Sequence, residues 1–186
     1  MELLKLVQKD WVPAVVQHIK GGLHRTGYCI IESPIAIVYR KTQVDEVMCQ
    51  QLGYEICELF SNSGTILSNA GDIAIGHLGN IDDGWCERFI VYFIDWLKAQ
   101  GLDATNEKND ILVDGYKVCG MCVNRYGRID YSCGFIGINT NLSHIKTICR
   151  KPMVKVPKGL GEFGITTQDI EQMLMEFHEQ FGHEYV

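Results

Sequence analysis

The 186-residue sequence predicts a single α+β domain, residues 1–186, with a mixed, largely antiparallel sheet packed with helices. Its strand-like and helix-like segments follow the order β-β-α-β-β-α-β-β-β-α-α, which alternates too irregularly for a doubly wound parallel sheet. Asp114-Gly115 is a strong signal for a two-residue hairpin turn, because both residues tolerate positive φ. The length and ordinary apolar fraction are sufficient for one substantial core.

The first half of the chain predicts short elements. Residues 3–20 are amphipathic, which indicates a helix that Pro13 kinks or splits and that Gly21-Gly22 ends. The segments that follow, in order, are strands at residues 28–32 and 35–40, a helix at 44–52, a strand at 55–60, a turn at 61–64 and a strand at 73–75.

The second half predicts two longer helices around a hairpin. Asp82-Asp83 starts a helix with favourable acidic residues at its positive end, and Gly101 closes it. Aromatic residues recur along it at helical spacing and indicate core packing, namely Trp85, Phe89, Tyr92, Phe93 and Trp96. A hairpin at 109–123, a loop at 124–128 and a strand at 129–138 follow. A helix then runs through residue 148 and is capped by Asn141 or Asn139. The last helix runs from Thr166 or Thr167 to Gly182 and buries Ile170, Met173, Leu174 and Phe177.

Charge and cysteine content exclude several classes of protein. The net charge of −6 argues against nonspecific nucleic-acid binding. No apolar stretch is long enough to span a bilayer, and the N-terminus is too polar for a signal peptide. The eight cysteines are therefore expected to be free thiols in a reducing, cytoplasmic compartment. Cys119 and Cys122 have metal-site spacing, but a second pair is lacking, and in a strand the two side chains point to opposite faces.

The predicted hairpin brings polar residues together on a rigid support. Asn109 and Asp110 begin one strand, Lys117 lies near the start of the other, and Gly120 lets a ligand approach the backbone. A carboxylate, an amide and an ammonium beside glycines suit an anionic ligand and a divalent cation. On this segment alone, the pattern favours a surface hairpin with solvated charges.

Three motifs resemble one enzyme family. Asn-Asp-Ile-Leu-Val-Asp-Gly-Tyr-Lys-Val-Cys-Gly at residues 109–120 resembles the Asn-Asp-strand-Gly-x-Lys hairpin of lipoate-protein ligases, biotin protein ligases and octanoyltransferases. Residues 133–143, Cys-Gly-Phe-Ile-Gly-Ile-Asn-Thr-Asn-Leu-Ser, resemble the His-Gly-strand-Asn-x-Asp-Leu-Ser stretch of that family. Residues 71–80 are similar, more weakly, to its Gly-rich segment before Leu-Gly-Asn. The resemblance covers residues 35–182 and implies the class II synthetase-like α+β fold of these catalytic domains. Because the sequence ends at residue 186, we expect it to lack the accessory C-terminal domain found in some lipoate ligases.

The resemblance implies a reaction and residues for it. Such ligases activate a carboxylic acid of lipoate, octanoate or biotin type with ATP and Mg²⁺, then transfer the acyl group to a lysine of a lipoyl- or biotinyl-carrier domain. Lys117 matches the catalytic lysine, and Asp110 is expected to be near the metal. The cofactor-binding residues implied by the alignment are Asn109, Asp110, Gly120, Asn69, Gly71 and His77, the last being one position from the family's histidine.

One loop departs from the family and leaves alternatives open. Residues 66–72 replace an Arg-Arg-x-Ser-Gly-Gly-Gly loop, so that they lack both arginines and keep only Gly71. One alternative is an octanoyltransferase-like enzyme without ATP, in which Cys149, six residues after Ser143, carries the acyl group as a thioester. Its thiol would need a lowered pKa. The other alternative is a catalytically inactive binding protein on the same scaffold.

Overall fold

The computed structural model describes residues 3–11, 25–58, 64–80, 84–126 and 129–181. Its strands, in chain order, are β1 (Leu3–Leu6), β2 (Arg25–Ile30), β3 (Ile35–Val38), β4 (Glu55–Glu58), β5 (Ile66–Ser68), β6 (Ile73–Asn80), β7 (Ala104–Glu107), β8 (Asp110–Val113), β9 (Tyr116–Tyr126) and β10 (Ile129–Ile136). They form a seven-stranded sheet in the order β1-β2-β6-β10-β9-β8-β7 and a three-stranded sheet in the order β4-β3-β5. Only the β1–β2 and β3–β4 pairs are parallel among these strands, so the predicted mixed, largely antiparallel α+β fold is confirmed.

Four helices of the described residues have defined bounds and pack on the two sheets, and residues 8–11 are also helical. They are α1 (Glu46–Gln51), α2 (Trp85–Ala99), α3 (Leu142–Ile148) and α4 (Thr167–Phe181), with short 3-10 helices at Lys41–Gln43 and Leu160–Phe163. None of the helices in the described residues is long and apolar enough to cross a membrane.

The elements stack in layers around three apolar clusters. Helices α2 and α4 pack on one face of the large sheet. The small sheet packs on the opposite face through a second cluster that includes Ile35, Cys133 and Phe135. On its outer side the small sheet contacts α1 and α3 around Val44 and Ile148. The space between the two sheets is therefore the place where a ligand can reach the backbone of the large sheet.

Helix α2 forms as its aromatic spacing predicts. Phe89 and Phe93 are fully buried, and a buried side chain of this size stabilises the fold by roughly 1.5–3 kcal/mol. Gly101 ends the helix at a φ of 83°, the left-handed conformation that glycine adopts without strain. Asn141, rather than Asn139, caps α3, because its side chain accepts a hydrogen bond from the backbone N–H of His144 at 3.1 Å.

Several predicted boundaries were wrong. Residues 3–6 form a strand, not a helix, because β1 pairs in parallel with β2, a long-range contact that local periodicity does not reveal. Residues 8–11 of the same predicted helix are helical. β6 runs to residue 80 instead of 75, β9 extends to 126 through the predicted loop, and β5 and β7 were not predicted. The predictions for residues 12–22, 59–63, 81–83, 127–128 and 182 lie outside the described residues.

Candidate functional site

A cavity of about 460 Å³ opens between the two sheets, a size typical of small-molecule sites. The start of β9, the end of β5 and the segment 151–157 contribute most of its wall. Its charged lining residues are Asp72, Asp110, Lys117, Lys151 and Lys155, and its apolar ones include Ile66, Leu67, Val118, Phe135, Ile145, Met153 and Val154. One cavity thus offers both ammonium groups and an apolar surface.

The hairpin turn aligns the two charged residues that the sequence singled out. Asp114 and Gly115 have φ values of 50° and 79°, as the predicted two-residue turn requires. Register places Asp110 opposite Gly120, with a bulge between Ile111 and Leu112. Lys117 folds its side chain along the sheet, and its Nζ lies 2.8 Å from Oδ1 of Asp110. The predicted convergence of these two side chains is therefore observed.

Gly120 makes this ion pair possible. A Cβ at position 120 would lie 2.8 Å from the Nζ of Lys117, 2.9 Å from its Cε and 3.4 Å from Oδ1 of Asp110. These distances are shorter than or close to the lower limit of ordinary contacts, so any larger residue would displace the lysine. Gly120 also lines the cavity, and its role is to give the lysine side chain room on the surface of the sheet.

Lys155 completes the charged cluster, and the sequence did not indicate it. The segment around Pro157 runs beside β9, where the backbone N–H of Lys117 donates to the carbonyl of Val156 at 2.9 Å. Lys155 Nζ then lies 3.0 Å from Oδ2 of Asp110 and 3.3 Å from Oε2 of Glu107. Two ammonium groups therefore share one carboxylate at the cavity wall.

The charges around Asp110 set its ionisation. Burial acts to raise the pKa of this carboxyl, but hydrogen bonds and charge attraction from Lys117 and Lys155 outweigh it, and the pKa lies below its ordinary value. The same carboxylate and Glu107 raise the pKa of Lys155, against the effect of burial. Asp110 is therefore a fixed negative charge that orients two cations toward the cavity.

The loop that departs from the family is held by a buried carboxylate. Asp72 is 2 % exposed and accepts hydrogen bonds from the backbone N–H groups of Ile138 at 2.7 Å, Asn139 at 2.8 Å and Asn69 at 2.7 Å, and from the Ser68 hydroxyl at 3.2 Å. Burial raises its pKa although these hydrogen bonds act to lower it. Asp72 thus anchors the end of β5 to the end of β10 and positions that wall of the cavity.

Two of the predicted cofactor-binding residues have structural contacts in this loop. Gly71 has a φ of 90° and packs so closely that a Cβ would lie 2.6 Å from the Nδ2 of Asn139 and 3.2 Å from the hydroxyl of Thr167. Asn69 accepts a hydrogen bond from the Tyr54 hydroxyl at 2.6 Å and donates one to the carbonyl of Asn139 at 2.9 Å. Neither residue lines the cavity formed by the described residues.

His77 lies on the other side of the large sheet. It is 1 % exposed, its ring stacks on Trp85 with centroids 4.9 Å apart, and its Nδ1 lies 2.7 Å from the hydroxyl of Thr26. A side chain at position 76 would instead face Trp11 and Tyr131 between the sheets. This position does not support the expected cofactor contact of His77, because a shift of one residue along a strand reverses the face.

Asn109 and Cys149 occupy the remaining predicted positions. Asn109 is exposed in the turn before β8, where its carbonyl accepts the backbone N–H of Met121 at 2.8 Å, and it does not line the cavity of the described residues. Cys149 lines the cavity at the end of α3. Burial and the neighbouring Cys49 raise the pKa of its thiol to about 11, which disfavours the reactive thiolate.

A resident metal site is not built into these residues. The described residues contain no group of three or more His, Cys, Asp or Glu side chains able to hold a metal ion. Asp110 is a single carboxylate, and both of its oxygens contact ammonium groups. Mg²⁺ commonly binds through one or two carboxylates together with substrate phosphates. Asp110 therefore fits a Mg²⁺ ion that is bound together with a nucleotide.

The chain is similar to known proteins in both sequence and fold. Residues 16–182 match the model of the lipoyl protein ligase A/B catalytic domain, and no curated protein matches the sequence. Similar solved structures include a bi-partite lipoate protein ligase from Thermoplasma acidophilum, described with its E2 lipoyl domain (TM-score 0.81, 13% identity, 98% of this chain and 83% of that chain).

Two further structures extend the fold comparison to ligand complexes. Lipoate-protein ligase A bound with ATP gives a TM-score of 0.79 at 16% identity, over 98% of this chain and 85% of that chain. P. falciparum LipL1 in complex with lipoate gives 0.75 at 15% identity, over 96% and 63% of the two chains. At these identities the structural likeness establishes the fold.

Proposed function

The chain belongs to the lipoyl protein ligase A/B catalytic domain family, and we propose that it activates a carboxylic acid with ATP and transfers the acyl group to a carrier lysine. The acid is of lipoate, octanoate or biotin type, and the acceptor is a lipoyl- or biotinyl-carrier domain. The observation that carries this proposal is the cluster of Lys117, Asp110 and Lys155 at the wall of a cavity that is otherwise largely apolar.

Charge is the main obstacle to the first step of such a reaction. A carboxylate must attack the α-phosphate of ATP, and negative charge develops further as pyrophosphate leaves, so donors must already be aimed at the phosphate oxygens. Asp110 fixes the Nζ of Lys117 at 2.8 Å, which reduces the reorganisation needed when the anionic substrates bind. We assign Lys117 to contacts with the phosphate and acyl carbonyl oxygens. Lys155, which contacts the other carboxylate oxygen of Asp110, is assigned to contacts with the same anionic group.

The apolar lining suits the acyl chain. Ile66 and Leu67, which stand where the ligase motif has two arginines, line the cavity together with Phe135 and Ile145. Loss of the two arginines removes positive charge from one wall, while Lys117, Lys151 and Lys155 supply it from the other. The cationic part of the site is thus concentrated on β9 and the segment 151–157 rather than on the loop 66–72.

The ligands of related structures support the assignment of substrates. ATP is bound in one structural neighbour and lipoate in another, and a third is described with its E2 lipoyl domain. Mg²⁺ bound with ATP would neutralise phosphate charge, and the Asp110 carboxylate at the cavity wall would contact it. We accordingly propose ATP, Mg²⁺ and a lipoate-type acid as ligands of the cavity.

A transfer through Cys149 is the second candidate, because this thiol lines the same cavity as Lys117. In that reaction a thioester on Cys149 would replace the adenylate, and ATP would not be required. The pKa of about 11 for the buried thiol works against this route, since the thiolate is the nucleophile.

Pyrophosphate release distinguishes these candidates. The protein is incubated with ATP, Mg²⁺ and lipoate, octanoate or biotin, with and without a lipoyl-carrier domain, and the masses of both proteins are measured. Acid-dependent pyrophosphate and an acylated carrier support the ligase. An ATP-independent acyl adduct that Cys149→Ser abolishes supports the transferase. Absence of both, with acid binding unaffected by Lys117→Ala, would identify a binding protein instead.

A further inference from the structure

Two thiols face each other across neighbouring strands of the large sheet. Cys122 of β9 and Cys133 of β10 are directly opposite in register, and their Sγ atoms lie 2.9 Å apart. Opposed residues of antiparallel strands have Cα atoms about 4.5–5.5 Å apart, inside the range of about 4.4–6.8 Å that a disulfide spans. A bond between these two sulfurs therefore requires no rearrangement of the strands.

The surroundings give the two sulfurs different roles. Cys122 is partly exposed, whereas Cys133 is 4 % exposed. A hydrogen bond from Cys133 lowers the pKa of Cys122 despite its burial, and Asn124, whose Nδ2 lies 3.6 Å from this sulfur, adds to the effect. The pKa of Cys133 is raised by its hydrogen bond to Cys122 and by burial. Cys122 is thus the accessible nucleophile and Cys133 the resolving thiol.

Other cysteines in the sheet lack this arrangement. Cys119, which shares the Cys-x-x-Cys spacing with Cys122, points to the opposite face and contacts the sulfur of Met121 at 3.9 Å. Burial raises the pKa of Cys29 to about 11. The Cys-x-x-Cys spacing of Cys119 and Cys122 therefore does not bring two thiols together. The register of β9 and β10 does so for Cys122 and Cys133.

The thiol pair adjoins the cavity. Gly120 and Phe135 line the cavity and are opposite each other in the same two strands. Cys122 and Cys133 are each two residues farther along, on the same face of the sheet. At a strand rise of about 3.3 Å per residue, the thiol pair lies roughly 7 Å from that part of the cavity wall.

We propose that Cys122 and Cys133 form a thiol–disulfide exchange site that closes to a cross-strand disulfide when it meets a small disulfide. The Cys122 thiolate attacks one sulfur of the small disulfide, and the other sulfur leaves as a thiolate that takes up a proton. Cys133 loses its proton and attacks the Cys122 sulfur, which expels the second small thiol. Two electrons and two protons pass from the protein to the small disulfide, and two thiols are released.

Two kinds of small disulfide fit this exchange reaction. One is a soluble disulfide such as oxidised glutathione, which approaches from solvent. The other is the dithiolane ring of a lipoate-type acid held in the neighbouring cavity, in which case both released thiols belong to one molecule. Octanoate has no disulfide and serves as the matched acid that cannot react.

The test counts thiols under denaturing conditions after exposure of the reduced protein to oxidised glutathione, lipoic acid or octanoic acid. We expect two fewer than the eight thiols of the sequence, a Cys122–Cys133 disulfide in the peptide map, and no loss with octanoic acid. Loss with glutathione alone supports the site with soluble disulfides as its source, and loss with lipoic acid supports the substrate as a source.

Variants make the test specific. The Cys122→Ser variant should keep all of its remaining thiols and form no intramolecular disulfide. The Cys133→Ser variant should accumulate a mixed disulfide on Cys122. Cys57→Ser, a partly buried thiol near the same cluster, should still form the bond. Retention of all thiols in the folded wild type with both disulfides, or a bond to another cysteine, overturns the proposal. No ATP is present, so the outcome is independent of ligase activity.

Discussion

The Nζ of Lys117 lies 2.8 Å from Oδ1 of Asp110, directly above the bare Cα of Gly120. This arrangement depends on the hairpin turn that joins β8 to β9. It also depends on the absence of a side chain at Gly120. It holds an ammonium at the wall of the cavity before any ligand binds, which is how preorganised electrostatic sites lower an activation barrier.

Gly120→Ala tests whether the glycine serves the lysine. The added methyl group meets the flexible end of Lys117 rather than backbone, so we expect stability to change by less than ~1 kcal/mol and kcat/KM to fall roughly tenfold, about 1.4 kcal/mol. Urea unfolding and pyrophosphate release measure the two effects. In a Lys117→Ala background the same substitution should have no further kinetic effect; an additive loss would show that Gly120 acts through something else.

Asp110→Asn tests the ion-pair cluster through pH. Because the folded pKa of Asp110 is lowered, its stabilisation is present above its unfolded pKa of about 3.9 and is lost as pH falls through the folded pKa. We expect the variant to be less stable by about 0.5–1 kcal/mol at pH 7 and equal to wild type near the acid limit. A difference that grows as pH falls would contradict this.

Lys155→Met tests the cation that only the structure revealed. Methionine keeps an unbranched apolar chain but removes the charge that contacts Asp110 and Glu107. We expect the KM for ATP to rise about tenfold, equivalent to about 1.4 kcal/mol of binding, with a smaller change in kcat. Steady-state kinetics at varied ATP measure this. An unchanged KM would remove Lys155 from the nucleotide contacts.

Asp72→Ala tests the structural role of the altered loop. The substitution leaves three backbone N–H groups and one hydroxyl without their acceptor, and each buried unsatisfied group costs about 1–3 kcal/mol. We expect a loss of about 3 kcal/mol or more in the free energy of unfolding, measured with urea. Wild-type stability would show that the loop is held by other contacts.

Local patterns predicted the parts of the fold that local physics determines. Asp114-Gly115 specified the turn, and the aromatic spacing from residue 85 onward specified α2 and its buried face. The Lys117–Asp110 convergence followed from these local signals, because a two-residue turn fixes which residues of a hairpin can meet.

Long-range pairing determined the rest. The apolar residues of β1 also fit the spacing of a helix, and its pairing with β2 makes it a strand. Lys155 lies in a segment without periodicity, and its place depends on backbone contacts to β9. His77 is one position along β6 from the place where the family has its histidine. Neighbouring residues of a strand point to opposite faces, so His77 faces the helices and not the cavity.

The most direct test of the central claim compares Lys117→Ala with Lys5→Ala in acid-dependent pyrophosphate release from ATP. Lys5 is a matched control, since it pairs with Glu171 and does not line the cavity. We expect Lys117→Ala to lose roughly 10²–10³-fold in kcat, or about 2.7–4 kcal/mol, with a loss of stability of no more than about 1 kcal/mol, and Lys5→Ala to retain wild-type rates. Equal activity of the two variants, or no acid-dependent release by the wild type, would contradict the proposal that this cavity activates a carboxylic acid.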